Sequence, residues 1–183
     1  MPQILTSYIL YKILLPRLPE DGMVIFGITA VDLWPGKGWN FVYGQASLRD
    51  RVCVQSIYRN GDMDKGADAR LLFLRRTLKT ATHEMGHVLS MHHCTAWECN
   101  MCGSNHRRES DRHPLWMCPE CMAKLCWAVS GDPGERYRDL HRFCAEQGLK
   151  DAAAFYRRSC LRLGVTPDGP AGDETTDRKE SGS

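Results

Sequence analysis

The chain has no apolar run long enough to cross a membrane. A transmembrane helix needs about 20 consecutive apolar residues, and the most apolar stretch, residues 4–15, is interrupted by Lys12. No positive leader precedes that stretch, and Arg17 and two prolines follow it where a small-residue cleavage site would stand. It reads as a buried helix and not as a signal peptide, so an intracellular protein, cytoplasmic or nuclear, is expected, with no membrane partner. There is no excess of charge either. The 24 Lys and Arg oppose 22 Asp and Glu, for a net +2, so composition makes no case for nucleic-acid binding. Arg107, Arg108 and Arg112 are few and lie among acids. No internal repeat is visible. What remains is an ordinary soluble composition, 43% apolar over 183 residues, enough for one domain with a core. We place that domain at 1–163, as a monomer, followed by a disordered acidic tail at 164–183 that is rich in Gly, Pro, Ser and Thr.

Cysteine, by contrast, is plentiful. There are nine, an odd number that would leave one over in a secreted disulfide scaffold. They cluster with histidines at ligand spacing, which favours zinc in a reducing compartment. His83-Glu84-Met85-Gly86-His87 is an HExxH pattern. On a helix, residues four apart share a face, so the imidazoles of His83 and His87 can bind one ion. Glu84 then sits where it can take a proton from metal-bound water. His93, six residues beyond His87, offers a third imidazole, with its neighbour His92 as competitor. Three nitrogens and a water make a tetrahedral zinc with an open position, the arrangement for metal-assisted amide hydrolysis. His106, His113 and His141 lack ligand spacing and read as surface or capping residues.

A second set follows. Cys118 and Cys121 form a CxxC pair, and Cys94 and Cys99 a looser one. Four thiolates make a closed site that contributes folding energy and no chemistry. Two zinc ions per chain are therefore expected, with Cys102 as a competing thiol. Cys53, Cys126, Cys144 and Cys160 fall in apolar-patterned segments and read as buried thiols.

For the elements, residues 23–28 form a continuous apolar run, consistent with a strand covered on both faces. Residues 40–43 and the alternating stretch 51–58 read as further strands. A long helix begins at Asp68, its expected N-cap, with Leu71, Leu74, Leu78, Ala81, Met85 and Leu89 as its apolar stripe. Residues 122–128, 134–144 and 150–163 read as helices, the last with Ala154, Phe155, Leu161 and Leu163 as its apolar residues.

The run His83-Glu84, His87, Ser90, His93-Cys94, Cys99-Asn100-Met101, Cys118 and Cys121 resembles the archaemetzincins. Flanking segments such as 39–46 (WNFVYGQA) and Gly103-Ser104-Asn105 extend the likeness over roughly residues 3–145. The resemblance implies an α+β, metzincin-like zincin domain with a twisted mixed sheet, a long active-site helix and a cysteine-bound zinc in the lower part. It implies a zinc metallopeptidase acting on peptides or proteins, with Glu84 as general base and zinc on His83, His87 and His93. Structural zinc would sit on Cys94, Cys99, Cys118 and Cys121, and Met101 would be the methionine beneath the catalytic metal. A strand within 40–58 would line the cleft and pair with substrate. Two departures stand out. Ser90 replaces a glycine that lets the chain turn at positive φ, and a strand usual at the amino-terminal side is missing. Both feed an alternative, a catalytically impaired zinc protein that binds peptides or partners.

Overall fold

The strand at residues 52–56 is buried on both faces along its whole length. A computed structural model describes residues 2–168 of the chain, so most of the expected acidic tail lies outside the described residues. Contacts group the chain into two units, Met1–Ser130 and Gly131–Ser183, with the boundary inside the span read from the sequence as one domain.

In the first unit, β1 (Gln3–Leu5) extends where the sequence suggested the first turn of a helix. The helical segment α1 starts at Thr6–Tyr8, widens to π geometry over Ile9–Leu14 and tightens to a 3-10 turn at Leu15–Arg17. It buries Thr6, Ile9 and Leu10, whereas Tyr8 and Tyr11 face outward. After it come β2 (Ile25–Thr29), β3 (Asp32–Trp34), β4 (Gly44–Ala46) and β5 (Val52–Ser56). β1 and β3 pair in parallel; the second sheet has the order β2-β5-β4, parallel on one side of β5 and antiparallel on the other. The mixed α+β architecture agrees with the sequence reading.

Two strand expectations change. The continuous apolar run became the edge strand β2, with Ile28 61% exposed. The alternating stretch became the central strand, because each of its faces meets a different layer. Val52 and Val54 join Ile9, Leu10 and Leu33 in the core. Cys53, on the opposite face, lies close enough to Glu84 of the long helix to feel its charge. Residues 40–43 are mostly irregular, held by a bridge between Val42 and Leu33 and by hydrogen bonds from Gln3 Nε2 to Asn40 O and from the Ser56 N–H to Tyr43 O, both at 2.8 Å.

The long helix α2 covers Ala67–Val88. Gly66, at φ 110°, precedes it, so Asp68 sits in the first turn and not at the N-cap. There it still favours the positive end of the helix dipole. The expected apolar stripe is only half-buried. Two shorter helices, α3 (Arg107–Arg112) and α4 (Pro119–Ala128), complete the unit.

The second unit pairs α5 (Pro133–Glu146) with α6 (Lys150–Arg162). Asp132 caps α5 by accepting the Glu135 N–H at 2.8 Å. The buried face of α6 is Ala152, Ala153, Tyr156 and Cys160; Ala154, Leu161 and Leu163, expected inside, are exposed. His141 is not a surface residue: its Nδ1 lies 3.0 Å from the Ala153 carbonyl and joins the two helices.

Candidate metal centre and cleft

The last two turns of α2 carry His83, Glu84 and His87, and one more imidazole arrives from the segment beyond the helix. The coordinating atoms of His83, His87 and His93 all lie within 4.8 Å of one another. His92 is not in the group.

The helix end that delivers His93 is a Schellman turn. The Met91 N–H donates to Gly86 O at 3.0 Å and the Ser90 N–H to His87 O at 2.9 Å. Ser90 occupies the left-handed position at φ 61°. A non-glycine residue there costs on the order of 1–2 kcal/mol. Its hydroxyl offsets part of this by donating to Leu48 O at 3.2 Å, which ties the helix end to the loop between β4 and β5. The serine is therefore accommodated with every bond of the turn in place.

The protonation state of the imidazoles follows from their partners. His83 Nδ1 lies 2.7 Å from Asn100 O, and His87 Nδ1 lies 2.7 Å from Met91 O. A carbonyl only accepts, so both Nδ1 atoms carry the proton and both Nε2 atoms present lone pairs. Those two Nε2 atoms face each other at 3.1 Å. Burial holds His83 down to about 4 and lowers His87 as well, so an imidazolium proton between them is disfavoured. Two lone pairs at that separation call for a cation. The donor set, three imidazoles whose nitrogens lie close together, suits zinc.

Glu84 is 5% exposed, and burial pushes its carboxyl up to about 8. It lies directly under β4. A Cβ added at Gly44 would come within 2.6 Å of Glu84 Oε1 and 2.7 Å of its Cγ, so the close approach of strand to carboxylate requires glycine. Met101 is fully buried, and a Cβ added at Gly86 would meet its Sδ at 2.5 Å. Gly103 likewise gives the His93 ring room, its added Cβ lying 3.1 Å from Nδ1. All three glycines lie in segments that the sequence reading quoted, but none was given a packing role there, because what each one meets comes from elsewhere in the chain. The Asn100 carbonyl that orients His83 was also invisible there.

The four sulfurs of Cys94, Cys99, Cys118 and Cys121 form a second group, all within 4.8 Å of one another. Cys94 Sγ and Cys118 Sγ are 3.9 Å apart, close to the edge of about 3.8 Å implied by a zinc–sulfur bond of about 2.3 Å. Backbone N–H groups already point at the sulfurs. Cys118 N–H donates to Cys99 Sγ at 3.1 Å and Cys121 N–H to Cys118 Sγ at 3.4 Å. Burial raises Cys99 to about 11 and also raises Cys121, so a cation must displace their protons on binding. Burial opposes the ionisation of Cys94 too, yet the N–H groups of Trp97 and Ala96 outweigh it and lower its pKa. The competitor Cys102 is outside the group, its thiol turned to Trp97 O at 3.1 Å. The two groups are joined at His93-Cys94, and Cys94 N–H donates to Met101 O at 2.9 Å. Cys53, Cys126, Cys144 and Cys160 are all buried as expected.

A cleft of about 760 Å³ opens over the imidazoles, lined by residues 38–46 on one side and by Lys79, His83, Glu84 and His87 on the other. β4 is an edge strand of its sheet, so within the stretch 40–58 the cleft-side segment is 40–46, while β5 is interior. Two arginines stack on aromatic rings beside it: Arg59 over Phe41 at 3.7 Å and Arg107 over Tyr43 at 3.9 Å. His106 caps α3 by accepting the Glu109 N–H, as expected. His113 is the C-cap residue of α3, one of the roles expected for it, and it also lines the cleft, its Nδ1 3.1 Å from Ser104 Oγ.

With this geometry in view, comparison with known proteins is specific. The model of Peptidase family M54 matches residues 15–126. Archaemetzincin-2 of Homo sapiens is 38% identical over 162 residues, 74% of this chain and 45% of the relative. Archaemetzincin-2 of Pongo abelii is 35% identical over 182 residues, 85% of this chain and 51% of the relative. The chain thus spans about half the length of the curated relatives it matches. The solved archaemetzincin of Methanopyrus kandleri aligns with a TM-score of 0.60 at 32% identity, covering 70% of this chain and 67% of that one. That of Archaeoglobus fulgidus, solved in complex with malonate, aligns with a TM-score of 0.53 at 36% identity, covering 67% and 69%.

Proposed function

The chain belongs to peptidase family M54, the archaemetzincins, and on that premise we propose that it is a zinc-dependent metallopeptidase that hydrolyses peptide bonds. The observation that carries this reading is the pair of Nε2 lone pairs on His83 and His87 facing each other at 3.1 Å, one residue from a buried carboxyl raised to about 8. His83, His87 and His93 would hold the catalytic zinc, and Cys94, Cys99, Cys118 and Cys121 a structural one. Zinc in the histidine site supplies Lewis-acid activation of water and of a substrate carbonyl.

The residues of the chain do the rest. Glu84 accepts the proton of the attacking water and returns it to the leaving amine; an acid–base group works best with a pKa near the operating pH. Burial sets that pKa, and a cation alongside favours the ionised carboxylate. Gly44 lets β4 close over Glu84 and exclude bulk water. The free edge of β4 offers an extended peptide main-chain hydrogen bonds, which aligns its carbonyl above the imidazoles. Met101 fills the space against Gly86 and keeps the helix face rigid. The alternative of an impaired binding protein rested on Ser90 and on the amino-terminal strand expected to be missing; the intact turn around Ser90 weighs against the first of these grounds.

Zinc per chain tests the two-site reading. Two ions are expected in the wild type, one in His93→Ala, and one or none in Cys118→Ala; a single ion in the wild type overturns it. A peptide-library cleavage assay with Glu84→Ala as control tests the base: equal cleavage by both proteins removes Glu84 from that role.

A further inference from the structure

Lys79 lies one helical turn before His83, so Lys79, His83 and His87 follow one another at four-residue steps along one face of α2. It lines the same cleft. It is also 7% exposed, which is unusual for a lysine. Its ammonium donates to the carbonyls of Ser110 and His113, at the carboxyl end of α3. Those partners are neutral, although the negative end of a short helix favours a cation. Among the described residues, no carboxylate pairs with it within 4.0 Å.

The nearby charges do not compensate. Arg75, Arg76 and Arg107 add like charge around Lys79, against Asp111 as the acid. Asp111 is already engaged in a two-pronged pair with Arg76, at 2.9 and 2.5 Å. A buried cation without a counter-charge is costly to keep, and here it stands at the wall of an open cleft. An ammonium has three N–H donors; two are spent on carbonyls and one is left. Around it the cleft wall is polar, with His113, Ser104 and Asn105.

We infer that Lys79 and the polar wall around it form a subsite for a peptide carboxylate, either an acidic side chain or the chain's own carboxyl terminus. Four helical residues rise about 6 Å, and an extended peptide advances about 3.3 Å per residue. The carboxylate would therefore lie within about two residues of the bond held over the imidazoles. Lys79 is thus a residue that selects and positions substrate and not one that takes part in bond breaking. The inference rests on the peptidase reading for the nature of its ligand.

Binding separates the two. Zinc-loaded full-length Glu84→Gln protein is titrated with matched peptides that carry Glu or Gln at each position near the centre, and with matched free-acid or amidated carboxyl termini. A charge-assisted hydrogen bond in a half-desolvated site predicts about tenfold tighter binding for one acidic partner. Preference for interior Glu assigns the side chain, and preference for the free acid assigns the terminus. In Lys79→Met the preference should fall to within about twofold, while Lys79→Arg retains most of it. Equal binding of all matched pairs by the Glu84→Gln protein overturns the subsite, even if the wild type cleaves both. A preference that survives unchanged in folded, zinc-loaded Lys79→Met also overturns it. Tighter binding of the acidic peptide without any cleavage by the wild type upholds the subsite and counts against the peptidase reading.

Discussion

Gly86, inside the HExxH pattern, provides a sharp test of how the helix is held to the Met101 segment. Alanine in place of glycine within a helix normally stabilises by about 1 kcal/mol. Here the new Cβ would lie 2.5 Å from Met101 Sδ and 2.8 Å from its Cε. Met101 is fully buried, so it cannot swing into solvent, and overpacking of this kind costs about 1–3 kcal/mol. Gly86→Ala should therefore destabilise the wild type by on the order of 1 kcal/mol. Met101→Ala alone should cost about 2–5 kcal/mol through the cavity it leaves. In that background the clash is gone, and Gly86→Ala should instead stabilise by on the order of 1 kcal/mol. The effect changes sign, giving a coupling of about 2 kcal/mol, within the range seen for side chains in contact. Urea unfolding of the four proteins at one fixed zinc concentration, followed by far-UV circular dichroism, measures it. If Gly86→Ala has the same effect in both backgrounds, to within about 0.5 kcal/mol, Met101 is not packed against Gly86 and the account of the helix face fails.

Two further outcomes follow from the geometry. Gly44→Ala places a methyl 2.6 Å from Glu84 Oε1, so peptide cleavage should fall by on the order of a hundredfold, the scale of general acid–base catalysis, while both zinc ions stay bound; unchanged turnover would show that β4 does not close on Glu84. Asp32 is 2% exposed and accepts Arg59 through both oxygens at 2.8 and 2.7 Å, a bond that holds its pKa below the usual carboxylate range. A depressed folded pKa gives stability that is fully present above the unfolded value of about 4 and lost as pH falls through the folded one. Thermal melts should therefore be flat in this respect from neutral pH to about 5 and drop in more acidic buffer, and Asp32→Asn should be less stable at neutral pH and lose that part of the acid slope.

The contrast between Cys94 and Cys102 shows where sequence reasoning stopped. Cys94, Cys99 and Cys102 lie within nine residues of one another, and spacing alone left Cys102 in contention. The fold turns the Cys102 thiol to the Trp97 carbonyl and leaves Cys94 facing Cys118. The strands show a similar limit. A continuous apolar run and an alternating one predict opposite burial, and the fold reversed them. β5 lies between β2 and β4, with the α1 core on one face and α2 on the other, so even Cys53 and Gln55 are enclosed. Periodicity reports which residues share a face, and says nothing of what arrives to cover the other one.

The sequence by itself narrowed the candidate ligands. Helical pitch places His83 and His87 on one side, and few residue types bind zinc, so spacing and chemistry named the candidates, with His92 and Cys102 still competing until the fold grouped the three imidazoles and four thiols. The resemblance also located the left-handed turn, because Ser90 stands where the family's glycine lets the chain turn. Only the tertiary structure decided what surrounds those ligands. Gly44 meets Glu84 across 40 residues of chain, Lys79 reaches carbonyls more than 30 residues away, and Met101 finds the gap at Gly86. Such contacts depend on how the sheet edge and the segment after the helix pack against α2. That packing is set by the summed burial of the whole unit and leaves no mark at any one position.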